Sequence, residues 1–176
     1  YMPVLLAAID AALEPVFTLH GVLATTYFSG PIIIVNGPVA RRIGMNSGIN
    51  ALGQGNRANA TIGRALNLIV RNVGGGRPGE ADRATLGAPS KYTLCFAEDE
   101  SDPAWQPLAV ARGIKPGASA VTLFQGHGPE AFVDQKSRTP EALTKSLALS
   151  LVKIGHPKLV QSARVVVVLS PEHYAI

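Results

Sequence analysis

The chain has one cysteine, Cys95, in 176 residues, so it can form no internal disulfide and holds no cysteine-rich metal site. A reducing, cytoplasmic setting suits such a chain and is the compartment expected. Its four histidines show no pairing at zinc-ligand spacing, so no metal site is expected. Charge is scarce, at 16% of residues against about 25% in an ordinary globular domain. Aromatics make up only 6%, and the 16 basic residues are scattered without interleaved aromatics, which argues against a nucleic-acid partner. No run of about 18 uncharged apolar residues occurs, so no membrane span is expected. The opening residues lack a basic leader. No Walker loop and no Gly-x-Ser-x-Gly elbow is present. Gly53-Gln54-Gly55 begins a dinucleotide fingerprint, but Ala58 stands where its third glycine belongs. No motif names a cofactor.

Against these absences stands a chain that is 47% hydrophobic. Its length suits one α/β domain over residues 1–176, able to bury about 70% of its unfolded surface without staples. It begins with Tyr1 and ends just after a strand-like run, and with so little charge it reads as a fragment or subunit of a larger, oligomeric protein. The apolar spacing predicts a helix over Met2–Leu13 ended by Pro15, a β-rich run over 16–26 and a strand over 31–35. A short helix opens at Pro38, and a longer one covers 60–73 before three glycines. Strands follow at 92–97, 120–124 and 163–169, with a helix opened by Thr139-Pro140-Glu141. Three apolar strands run into a tight exit and a proline: at Asn36-Gly37-Pro38, His127-Gly128-Pro129 and Ser170-Pro171. Strands apolar throughout are covered on both faces. The fold expected is therefore α/β with a mixed or mostly parallel sheet flanked by helices in three layers.

The segment most able to carry chemistry spans residues 46–64. Gly48, Gly53 and Gly55 allow close backbone approach, and a helix start favours an anion. Arg57 and Arg64 can grip a carboxylate or phosphate. Asn46, Ser47, Asn50, Asn56, Asn59 and Thr61 offer donors and acceptors together. The competing reading is structural, with Asn59 as helix N-cap and the other asparagines in left-handed turns. In open α/β sheets ligands sit beyond the carboxyl ends of the strands, a rule that gathers Asn36, His127, Glu130, Glu172 and His173. His127, between glycines at a strand exit, is the best proton carrier among them. His20 lies in the β-rich run and reads as a core histidine, and His156 as a surface one. Cys95 reads as inert strand packing. Glu98 and Glu100, able in principle to act as acid or base, read as a solvated loop.

The run Gly55-Asn56-Arg57-Ala58-Asn59-Ala60-Thr61-Ile62-Gly63-Arg64-Ala65-Leu66, with Val73-Gly74-Gly75-Gly76-Arg77-Pro78-Gly79-Glu80 after it, resembles a family of bacterial proteins. They are named for a Sec-Gly-Ser-Cys motif in which cysteine can replace selenocysteine. The resemblance extends to Met2–Leu13, to residues 19–26 and 34–38, and to Lys91-Tyr92-Thr93. The motif itself is absent. The resemblance implies thiol or selenol redox chemistry, with the redox group supplied by a missing chain region or a partner subunit. It also raises His20 to a second catalytic candidate.

Two functions are therefore expected. The first is an enzyme domain, an oxidoreductase or lyase acting with a partner region, that binds a small anionic or amide-bearing substrate at 46–64. The second is a non-catalytic ligand-binding or assembly domain of a larger complex.

Overall fold

A computed structural model describes residues 1–24, 29–53, 55–83, 94–127, 131–154 and 165–176. The chain divides into two compact units, Tyr1–Pro129 and Glu130–Ile176.

The first unit opens with α1 (Met2–Leu13), which has a proline in its first turn and buries Val4, Leu5 and Ala8. Glu14, forced out of helical geometry ahead of Pro15, ends it with an extended backbone. The β-rich run expected over 16–26 is instead the short helix α2 (Leu19–Ala24) over its described part. β-propensity needs a neighbouring strand to act on. Here the segment buries Leu23 and gives the Leu23 carbonyl to the Arg83 N–H at 2.9 Å.

The sheet has three strands in the order β2-β1-β3. The central β1 (Ser29–Asn36) runs parallel to β2 (Cys95–Ala97), with Val35 beside Ala97. It runs antiparallel to β3 (Ala120–His127), from Asn36 opposite Ala120 to Ser29 opposite His127. The sheet is thus mixed. Between β1 and β2 lie α3 (Pro38–Arg42) and α4 (Arg57–Asn72), and α5 (Leu108–Ala111) precedes β3. Of the strand expected over 92–97, residues 92 and 93 lie outside the described residues.

Alternation along β1 sends Ile33 and Val35 to one face. There they join Val4, Leu5 and Ala8 of α1, Val39 and Ala40 of α3, Ile62 and Leu66 of α4, and Cys95 and Ala97 of β2. Each large apolar side chain buried there contributes roughly 1.5–3 kcal/mol. Ile34, Asn36 and Phe96 alternate to the other face and are buried as well. Over Ile33–Asn36 both faces of the central strand are therefore shut from water, in line with its apolar run.

The second unit holds α6 (Pro140–Ile154), opened as expected by Pro140 with Thr139 Oγ1 accepting the Ala142 N–H at 3.3 Å. It also holds α7 (Pro171–Tyr174), capped by Ser170. The strand expected over 163–169 is not found in its described part. Residues 165–169 belong to no sheet and every one is exposed. β-branched side chains favour extended backbone, but a strand needs a partner ladder that no local pattern specifies. Among the described residues no helix is long and apolar enough to cross a membrane.

Candidate functional site

Because β1 and β2 are parallel, their carboxyl ends meet at one edge of the sheet. Asn36 closes β1 and Glu98 follows β2 directly, on the same face by alternation. Asn36 is 1% exposed, and its Nδ2 donates to Glu98 Oε2 at 2.7 Å and to Glu100 Oε1 at 2.6 Å. Glu100 Oε1 also accepts the Gly37 N–H at 3.0 Å. Glu98 accepts the Trp105 indole N–H at 2.8 Å and the Leu108 N–H at 2.9 Å. Gly37 makes the turn possible: its φ is +82°, and a Cβ there would collide with the Ala118 carbonyl. Asn36 Oδ1 is the one buried side-chain polar atom without a hydrogen-bond partner among the described residues. A buried acceptor left unpaired is costly, so this atom calls for a donor.

The acidic run is therefore only in part the solvated loop expected: Asp99 is exposed, while Glu98 and Glu100 are half-buried. Glu98 and Glu100 turn in upon Asn36, and Trp105, itself exposed, reaches Glu98 through its indole N–H. The sequence does carry a signal for this. Asn36 and Glu98 are polar residues at the ends of apolar strand runs, and Glu100 lies two residues beyond Glu98.

Asn46, Asn56 and Asn59 of the segment 46–64 are engaged in hydrogen bonds within it and to Gly44. Asn56, not Asn59, is the N-cap of α4, its Oδ1 accepting the Asn59 N–H at 3.0 Å. Asn59 sits one turn inside, 1% exposed. Its Oδ1 accepts the Asn46 N–H at 3.1 Å, and its Nδ2 donates to the carbonyls of Asn46 and Ala51 at 3.0 Å each. Asn46 bridges Gly48 and Ile49, and Asn56 Nδ2 donates to the Gly44 carbonyl at 3.1 Å. Asn50 alone takes the left-handed conformation, with φ +63°. Ser47 is half-buried, while Arg57, Thr61 and Arg64 are exposed along α4. The loop meets the sheet where the Ala97 N–H donates to the Asn46 carbonyl at 3.4 Å. The 46–64 loop and Asn36 thus share the carboxyl edge. However, α4 packs on the Ile33–Val35 face, and Asn36 alternates to the other.

The histidines do not join them. β3 runs antiparallel to β1 and continues through His127, so His127 is a strand residue paired with Ser29 and not an exit-loop residue. Seven residues of strand, at ~3.3 Å each, put it about 23 Å from the Asn36 end. His20 is exposed on α2, not a core residue of a strand. Its neighbour Gly21 lies near Gln125, toward the same far end. Glu130 and His156 lie outside the described residues.

Glu172 and His173 belong to the second unit. There the His173 ring packs on Phe132 with centroids 5.6 Å apart, and its Nε2 is 3.1 Å from the Asp134 carbonyl oxygen. The Asp134 carboxyl is held well below its ordinary range by the Ser137 N–H, then by the hydroxyls of Ser137 and Ser146 and the Lys136 N–H. Glu172 is lowered by its own N–H, by Ser170 and by the charge of His173. Cys95 is buried, and desolvation pushes its thiol up to about 12, which removes the thiolate at neutral pH. No cluster of three or more His, Cys, Asp or Glu side chains suited to a metal ion occurs among the described residues. No family model, curated protein or solved structure matches the chain.

Proposed function

We propose that this chain is a ligand-binding α/β domain of an enzyme, and that its substrate is held at the shared carboxyl edge of β1 and β2. The observation that carries the reading is the unpaired, buried Oδ1 of Asn36. It needs an N–H or O–H donor. Of the two substrate classes expected from sequence, an amide-bearing molecule supplies one, and an anion would face Glu98 and Glu100. The 46–64 loop meets the same edge through the Asn46 carbonyl, which accepts the Ala97 N–H. Helices on both faces of the sheet would make the unit three-layered. The resemblance to the selenoprotein family supports a thiol or selenol partner in a reducing cytoplasm. Cys95, buried and protonated, is not that thiol, so the redox group would come from another region or subunit.

The test is a thermal-shift panel of amides, carboxylates, phosphates, thiols and nucleotides, run on the parent chain, Asn36→Ala and Arg57→Ala. A ligand at ~100 times its dissociation constant adds about 2.7 kcal/mol. The expected hit is an amide whose shift is lost in Asn36→Ala and retained in Arg57→Ala. A shift lost only in Arg57→Ala would move the site to the 46–64 loop and overturn this reading.

The second reading, an assembly domain within an oligomer, is favoured by one observation. The asparagines at 46, 56 and 59 are spent on internal hydrogen bonds while Ile49 and Leu68 stand exposed nearby. Light scattering decides it: a monomer across micromolar concentrations counts against assembly through this chain alone.

A further inference from the structure

Acidic side chains are missing from a long stretch of the first unit. Residues 15–79 hold Arg41, Arg42, Arg57, Arg64, Arg71 and Arg77 but no lysine, aspartate or glutamate. The fold gathers four of these arginines on α3 and α4. Arg41 and Arg42 end α3 and Arg57 begins α4, and the two helix ends meet where Asn56 Nδ2 donates to the Gly44 carbonyl at 3.1 Å. Arg64 follows Arg57 by two turns of α4, about 10 Å along its axis. All four are exposed, and Arg41, Arg42 and Arg57 make no hydrogen bond or ion pair among the described residues. A cation at the end of α3 suits that helix. Arg57 opens α4, where the helix dipole opposes a cation and no acidic residue of the first turn answers it. Helix stability therefore does not account for Arg57.

We propose that the exposed face of α3 and α4 docks an acidic segment of a partner protein, with Arg41, Arg42, Arg57 and Arg64 taking its carboxylates and Leu68 an aliphatic side chain. The proposal does not rest on the Asn36 edge, since α4 packs on the opposite face of the sheet from Asn36. Its argument is charge complementarity: exposed like charges without an acid among them fit a polyanion. The chain itself shows the pairing expected. Arg71, next in the same seven-residue series on α4, holds the buried Asp82 carboxylate at 2.8 Å. Arginine throughout, with no lysine, suits carboxylates gripped through two N–H groups more than the diffuse attraction of a lipid surface. The large apolar side chains exposed on α4 and the loop before it are the aliphatic Ile49, Leu52 and Leu68, so no ring stands ready to stack on nucleic-acid bases. A second copy of the chain answers poorly, because Glu98 and Glu100 of its densest acidic run are turned in upon Asn36.

Trp105 is the sole tryptophan, so its indole N–H gives one resolved signal in a proton–nitrogen spectrum of the whole chain. That signal, unmoved, shows that a variant keeps its fold. The probe is fluorescently labelled poly-glutamate at low salt, with oligo-thymidylate and vesicles of phosphatidylglycerol in phosphatidylcholine as comparisons. The parent chain is set against Arg42→Gln with Arg57→Gln, and against Arg112→Gln with Lys115→Gln, which removes the same charge from another exposed place. The expected result is saturable binding of poly-glutamate, weakened about tenfold by the first pair, as the loss of two charge pairs entails, and little changed by the second. Equal weakening by both pairs would mean that net charge alone attracts the probe, and overturns the proposal. Tighter binding of oligo-thymidylate or of the vesicles makes the partner a nucleic acid or a membrane and overturns it too. So does a folded chain that does not bind poly-glutamate. None of these outcomes bears on the Asn36 edge, which the amide panel tests separately.

Discussion

Asn59 is worth more to the fold than its place on a helix suggests. Its side chain serves three backbone groups of the 46–51 loop from a position shut off from water. Removing it strands groups that cost about 1–3 kcal/mol each when buried unpaired. Asn59→Ala should therefore lower stability in urea by roughly 3 kcal/mol. Asn56→Ala, which loses the cap, should cost about 1 kcal/mol. A reversed order would mean the loop is not clamped through Asn59. Gly37→Ala is a different kind of change, since its backbone is left-handed and its Cβ has nowhere to go against Ala118. Strain of this kind costs roughly 1–3 kcal/mol. The turn carries the Glu100 contact, so the Trp105 signal should move in this variant even without ligand.

At the level of elements, β2 is short and fully buried, which ties it to Cys95. Its thiol ionises near 9.0 when exposed and about 12 when folded. Below pH 9 both states are protonated and burial of the thiol costs nothing electrostatically. Between 9 and 12 only the unfolded chain ionises, so stability falls as pH rises, by up to about 1.4 kcal/mol per unit. The slope of urea stability between pH 9 and 11 should be shallower in Cys95→Ala than in the parent, and equal slopes would show that the thiol is not desolvated. Elements with their own signals were readable from sequence. Pro38 and Pro140 sit in the first turns of α3 and α6, and Pro15 stops α1. The apolar run 31–35 became the centre of β1. What failed was the inference from β-branched composition alone. Residues 19–24 are helical and 165–169 unpaired, because strand formation depends on a partner that composition does not name.

At the scale of the molecule, the site was only half legible for the same reason. Asn36 could be picked out by its place at a strand end, but its partners come from a parallel register, Val35 beside Ala97, that joins segments 62 residues apart. The antiparallel return of β3, equally invisible in the sequence, carries His127 away from that edge. The apolar core that joins the sheet to α1, α3 and α4 draws every buried residue from the first unit. The exposed valines 165–168 belong to the second. A fragment of residues 1–129 should accordingly unfold in one cooperative transition, with near-native far-ultraviolet signal and the Trp105 indole resonance unmoved. The substitution Val166→Lys with Val168→Lys in the whole chain should leave the unfolding midpoint within about 0.5 kcal/mol, as surface changes do. It should also reduce self-association, because an exposed β-branched run is a template for pairing. A fragment that fails to fold, or a large loss from the lysine pair, would mean that the valine run is part of the core that supports the Asn36 edge. The ligand site would then have to be sought in the intact chain alone.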